Sequence, residues 1–166
     1  MISGRMQCLL ILVLAMAAIS TCRAEVPHPI KWSLTANAST LPLGKGTQVL
    51  ATLRARIPPG WHLYAMDQQP GGPIATKISL PAGQVFSLNG SIEPETAPNV
   101  ANDPNFNLET RYFEGDTSFR IPVQSTAPVS AGQAKLTVEV FFQSCSDRLC
   151  LPPSAVRVSA QVKQVH

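Results

Sequence analysis

From Leu136 to Phe142 every second residue is apolar: Leu136, Val138, Val140 and Phe142. The run then enters the segment Phe141–Pro153, FFQSCSDRLCLPP. A period of two puts one face of a strand against a core and the other toward solvent. The same period recurs at Ile30, Trp32, Leu34 and Ala36, at Val49 to Ile57, at Ile74 to Leu80, at Phe119 to Val123 and at Val156 to Val162. Shorter strands are expected at Trp61–Tyr64, Val85–Leu88 and Glu109–Glu114. Residues 93–107, rich in Pro, Asn and Asp, read as a long surface loop. Pro122 has no ladder donor, so its strand is expected at an edge or at a bulge. No stretch after the leader sustains a 3.6-residue period, and 15 of the 166 residues are proline. Short strands with frequent turn signals predict an all-β sandwich.

The first 24 residues read as a secretory signal peptide. Arg5 provides a positive head, Cys8 to Ile19 an apolar run, and Cys22-Arg23-Ala24 a cleavage site after Ala24. The apolar run is short of the roughly 20 residues that span a bilayer. The alternatives are an uncleaved anchor and lipid attachment at Cys22. Residues 25–166 then form one domain, large enough for a core that needs no staple. Losing Arg5 and Arg23 takes the 13 basic residues to 11 against 10 acidic, a net charge of about +1. No cluster of Lys and Arg marks a nucleic-acid partner. The mature chain has no further apolar segment of membrane-spanning length, and a periplasmic or secreted location follows from the leader. The chain is expected to be a monomer.

Export leaves Cys145 and Cys150 as the mature protein's two cysteines, in a compartment where disulfides persist. Ser146 and Asp147 favour a chain reversal between them, and Pro152 and Pro153 stop a helix beyond them. As a stabilising bridge, a ring of this size contributes only about 2 kcal/mol in the chain-entropy treatment. A bridge of the immunoglobulin type would instead join distant strands. The pair is therefore open to three readings: redox exchange, a permanent bridge or metal binding. Exchange requires sulfurs that pair and separate with little backbone movement, and access for a visiting thiolate. Arg148 favours a thiolate and Asp147 opposes one. Phe141, Phe142, Leu149 and Leu151 make the surroundings apolar, which raises thiol pKa.

The run FFQSCSDRLCLPP resembles the active-site segment of the N-terminal periplasmic domain of DsbD, the thiol:disulfide interchange protein. Pro59–Tyr64 and Gly71–Ile78 are similar to the same family, and the resemblance extends from about Ile30 to Val162. It implies an immunoglobulin-like sandwich with a redox-active pair at one end. Such a domain takes reducing equivalents from a thioredoxin-like donor. It passes them to periplasmic acceptors such as disulfide isomerases or cytochrome c maturation proteins. Cys145 and Cys150 would be the exchanging pair, with Cys150 forming mixed disulfides and Cys145 resolving them. The family also shields its pair with an aromatic on a cap loop. Phe113 is the first candidate for that role and Tyr112 the second, with a plain core position the alternative for Phe113. His62 and Tyr64 are candidates to border or dock at the pair. The loop here carries four residues between its cysteines, where the well-known DsbD loop carries five.

The main alternative is a non-catalytic immunoglobulin-like binding module with a permanent disulfide. A copper or zinc site would need His28, His62 or His166 beside the cysteines, and none has ligand spacing to them. No metal or other cofactor is therefore expected. No nucleophile elbow or paired carboxylates mark a hydrolase. Asn37-Ala38-Ser39 and Asn89-Gly90-Ser91 fit a glycosylation pattern by chance, since the leader looks bacterial.

Overall fold

The computed structural model describes residues 28–165. The signal peptide, its cleavage after Ala24, Cys22 and His166 lie outside the described residues. The described chain is built from strands: β1 Lys31–Ala38, β2 Gln48–Arg56, β3 His62–Tyr64, β4 Lys77–Ser79, β5 Phe86–Leu88 and β6 Glu93–Pro94, followed by β7 Asn99–Asp103, β8 Leu108–Phe113, β9 Thr117–Ser125, β10 Lys135–Phe142, β11 Ser144–Cys145 and β12 Ser154–Gln164.

The larger sheet runs β4-β10-β12-β1-β2-β9-β5, with β6 also on β9. The smaller runs β11-β3-β8-β7. All pairings are antiparallel except β1 with β12, which meet in parallel only at Ala36–Ala38 against Val162–Gln164. The long β12 otherwise pairs with β10. It thus links the β10 layer to the β1-β2-β9 layer, and the two layers face each other as an immunoglobulin-like sandwich. The alternating residues read from the sequence fill the space between them: Ala51, Leu53 and Ala55 from β2, Phe119, Ile121 and Val123 from β9, and Leu136, Val138, Val140 and Phe142 from β10, all fully buried. Trp32 spans the layers, its ring 5.2 Å from Phe142 and 6.3 Å from Phe119. The small sheet closes one end, bringing Phe113 edge-on to Phe119 at 5.6 Å.

Three expectations are corrected. Residues 93–107 hold β6 and β7. β7 is paired only with β8 and exposes all but Asp103, so its sequence has no apolar alternation to betray it. The strand expected from Ile74 is shorter, Lys77–Ser79, because the chain before it is tied elsewhere. Ile74 N–H donates to Gln143 Oε1 at 2.9 Å, and Thr76 N–H and Oγ1 donate to the carbonyls of Ala65 and Tyr64. Of the two places expected for Pro122, the edge is overturned, because its strand is paired on both sides, while the ladder beside it is interrupted between Leu88 opposite Val123 and Glu93 opposite Arg120. Its missing donor faces the break between β5 and β6, where only its carbonyl is used, by Asn89 N–H at 2.9 Å.

The core outweighs the disulfide in holding this fold. Phe142→Ala should cost about 3–5 kcal/mol, whereas reducing the six-residue ring should cost about 2 kcal/mol. Urea unfolding of the oxidised, reduced and Phe142→Ala proteins measures both.

Candidate functional site

Gln143 is where the chain leaves the large sheet. β10 ends at Phe142, and β11 pairs instead with β3, Ser144 opposite Leu63 and Cys145 opposite His62. The alternation continues through the switch. Ser144 and Leu63 turn inward and are fully buried. Cys145 and His62 therefore share the outer face of the small sheet. A turn sets β3 in place: Trp61 N–H donates to the Pro58 carbonyl at 3.2 Å, and Gly60 has φ 80°. That is the position of a type II turn at which a side chain would be strained, and Pro59 supplies the preceding residue.

Cys145 and Cys150 are disulfide-bonded, with Cα atoms 4.0 Å apart. They oppose each other in a hairpin whose flanking bonds run from Ser146 N–H to the Leu149 carbonyl at 2.8 Å and from Leu151 N–H to the Ser144 carbonyl at 3.0 Å. The cysteines thus occupy the close, non-hydrogen-bonded position of an antiparallel pair. Four intervening residues suit this arrangement, because Ser146 and Leu149 continue the ladder and Asp147-Arg148 makes the reversal. The Ser146 hydroxyl accepts from the N–H groups of Leu149 and Arg148 at 3.1 and 3.3 Å, the turn chemistry expected of it. The two sulfur-bearing residues differ in access. Cys145 is fully buried, Cys150 is half-buried, and Leu149 beside it is exposed.

On the face shared with Cys145 a polar chain runs through the small sheet. His62 Nε2 lies 3.2 Å from the Tyr64 hydroxyl, which donates to Asp103 Oδ2 at 2.6 Å. Asp103 begins the β7–β8 turn. Its other carboxylate oxygen accepts from Asn105 N–H at 2.8 Å. Tyr112 stands opposite Tyr64 and its ring is 5.2 Å from that of His62. Phe106, on the same turn, meets Tyr64 edge-on at 5.9 Å. Beside this chain is a cleft of about 200 Å³ lined by His62, Asp103, Asn105, Tyr112, Glu114 and Asp147.

Burial holds His62 below its ordinary 6.5, against the opposing pull of Asp103, Glu114 and Asp147. Burial also pushes Tyr64 well above its usual range, helped by its bond to Asp103. Tyr112 is raised by burial and then by Glu114, Asp103 and Asp147. Since the imidazole is favoured neutral, its 4.0 Å approach to Asp103 is a proximity rather than an ion pair.

Cys145, His62, Tyr64 and Tyr112 are thus brought to one face, and Cys150 joins them through its bridge. Phe113 is not on that face. It pairs with Leu63, is 3% exposed and sits in the core, the position weighed as its alternative. His28 packs on Phe142 at 5.3 Å, in the core region rather than at the pair. No group of three or more metal-ligating side chains occurs among the described residues. Asp103 and Phe106 were missed. Their signal was the turn chemistry of Asp103-Pro104-Asn105, which also marks a hairpin tip.

The family model described as thiol:disulfide interchange protein DsbD, N-terminal, matches residues 33–161. The chain belongs to this family. A search of curated protein sequences found no match. Among solved structures, the N-terminal periplasmic domain of ScsB from Proteus mirabilis aligns with a TM-score of 0.53 at 16% identity, over 79% of this chain and 46% of that one. The chain therefore spans about half the length of that structure, and the likeness concerns the fold. The reduced DsbD N-terminal domain of Neisseria meningitidis aligns at 15% identity with a TM-score of 0.45, over 77% of this chain and 83% of that one. No helix among the described residues is long and apolar enough to cross a membrane.

Two outcomes are expected of this DsbD-family site. Tyr64→Phe leaves buried Asp103 without its hydroxyl partner and should cost about 1.5–3 kcal/mol, the range for a hydrogen bond to a charged group, read by urea unfolding. Burial lowers the imidazole's affinity for protons in the fold. Stability from neutral His62 is therefore complete above 6.5 and declines as pH falls below it. Comparing unfolding of the native protein and His62→Gln across this range should show a shallower acid decline in the variant.

Proposed function

We propose that the chain is an exported thiol:disulfide exchange domain, freed of residues 1–24. It relays reducing equivalents from a thioredoxin-like donor to periplasmic acceptor proteins through Cys145 and Cys150. The observation that carries this reading is the unequal access of two bonded cysteines at the tip of a short hairpin: Cys145 is fully buried and Cys150 half-buried. A visiting thiolate meets Cys150, which forms the mixed disulfide. Cys145 leaves, and the donor's second thiol resolves that mixed disulfide, so that both cysteines are reduced. The Cys150 thiolate then attacks an acceptor's disulfide and Cys145 resolves the new adduct. The hairpin keeps the two residues opposed when the bond opens, because the ladder bonds on either side of them do not depend on it.

Family membership supports the reading, as does the small contribution of so short a ring to stability. The β7–β8 turn from Asp103 to Leu108, with Phe106 over Tyr64, takes the shielding role in place of Phe113. Tyr112, Tyr64 and His62 form the floor beside the pair.

Equilibration with glutathione or dithiothreitol tests the reading. An exchanging pair should have a midpoint above about −300 mV, and a value far below that would identify a structural bridge.

A further inference from the structure

His62 is the residue paired with Cys145. Directly opposed residues on one face of an antiparallel sheet have Cβ atoms about 4.5–5.5 Å apart. The imidazole is thus a neighbour of the buried sulfur, and of the two histidines among the described residues it alone is on this face. Its Nε2 is joined to the Tyr64 hydroxyl and through it to Asp103. Its side chain is 12% exposed and lines the cleft that opens beside Asp147 and Glu114. A buried thiol has no water at hand to take its proton, so its conversion to the nucleophilic thiolate needs a base close by.

We propose that His62 is the proton acceptor for Cys145 in the step that resolves mixed disulfides, held in place by Tyr64 and Asp103. This rests on the exchange function proposed for the pair. When the Cys150 thiolate of the reduced protein has attacked a partner's disulfide, Cys150 is bonded to the partner's sulfur and the partner's other thiol has left. The Cys145 thiol passes its proton to neutral His62. The resulting thiolate attacks Cys150 Sγ, the Cys145–Cys150 bond forms, and the bond from Cys150 to the partner breaks with its electron pair on the partner's sulfur. The imidazolium gives up its proton to the cleft. Read backwards, the imidazolium protonates Cys145 as a partner thiolate opens the bridge.

The charged and titratable groups facing His62 are Tyr64 on its own strand, Tyr112 and Glu114 from β8 and its end, Asp103 from β7, and Asp147 from the cysteine turn. The three carboxylates would stabilise an imidazolium as it forms. Burial keeps the resting imidazole neutral, the form a base must have.

The reduced protein mixed with the aromatic disulfide DTNB should release two equivalents of thionitrobenzoate: one when Cys150 attacks, one when Cys145 resolves the adduct. In the native protein the resolving rate should level off above pH 6.5, the ordinary value below which His62 is held. In His62→Gln that phase should slow on the order of 100-fold, the lower range of general-base effects. It should also keep rising toward the thiol's own value near 8.5, while the first phase is unchanged. Added imidazole should restore the rate of His62→Ala. Tyr64→Phe, which keeps the imidazole, should retain the levelled profile at a reduced rate. A resolving phase in His62→Gln with the native rate and pH profile overturns the proposal and leaves exchange intact. Absence of the second phase in the native protein overturns both.

Discussion

A single alternation of side chains, carried without a slip from β10 through Gln143 into β11, arranges everything else in this domain. Residues 136, 138, 140, 142 and 144 point inward. Cys145 therefore points out, next to His62, and the disulfide forms on the far side of the small sheet from the core. One extra residue before the pair would exchange the faces, putting the thiol among Leu63, Phe113 and Phe119 and the serine outside. Gln143 secures the switch. Its side chain accepts from Ile74 N–H and donates to the Leu151 carbonyl, tying the chain before β4 to the segment that leaves the hairpin.

This arrangement separates the task of folding from that of the site. The apolar layers between the sheets would hold with the bridge open, since so small a ring adds little. The outer face of the small sheet is instead polar and layered: a hydroxyl, a carboxylate and an imidazole beneath a hairpin tip. Burying Asp103 is tolerable because it accepts from both the Tyr64 hydroxyl and Asn105 N–H. Those bonds also fix the tip that carries Phe106. The same turn thus sets Phe106 against Tyr64 and orients the polar groups of this face.

Much of this was legible in the sequence, for physical reasons that also explain what was not. Strands with one buried face announce themselves by period two, so β1, β2, β9, β10 and β12 could be read directly. The cysteine hairpin was readable because Ser146 has turn chemistry and the spacing permits a cross-strand pair. β7 was hidden because an exposed edge strand buries almost nothing, and its Asn and Asp residues resemble a loop. Phe113 was ambiguous because an apolar aromatic at a strand end fits either face, and only the register with Leu63 decides it. His62 was a candidate to border the pair, but its place directly opposite Cys145 was not legible, since 83 positions separate them and only the pairing of β3 with β11 brings them together. Pro122 shows the limit of local rules: a proline is excluded from a ladder only where its donor would be used, and β9 turns that side to a gap.

The central claim, that Cys150 meets partners and Cys145 stays behind, is tested most directly by two single-cysteine proteins. Cys145→Ser and Cys150→Ser, each mixed with oxidised glutathione, would be followed by mass spectrometry as the mixed disulfide forms. The account predicts rapid adduct formation at Cys150 in Cys145→Ser and slow formation at the buried Cys145 in Cys150→Ser. Equal rates in the two proteins, or a faster reaction at Cys145, would contradict it.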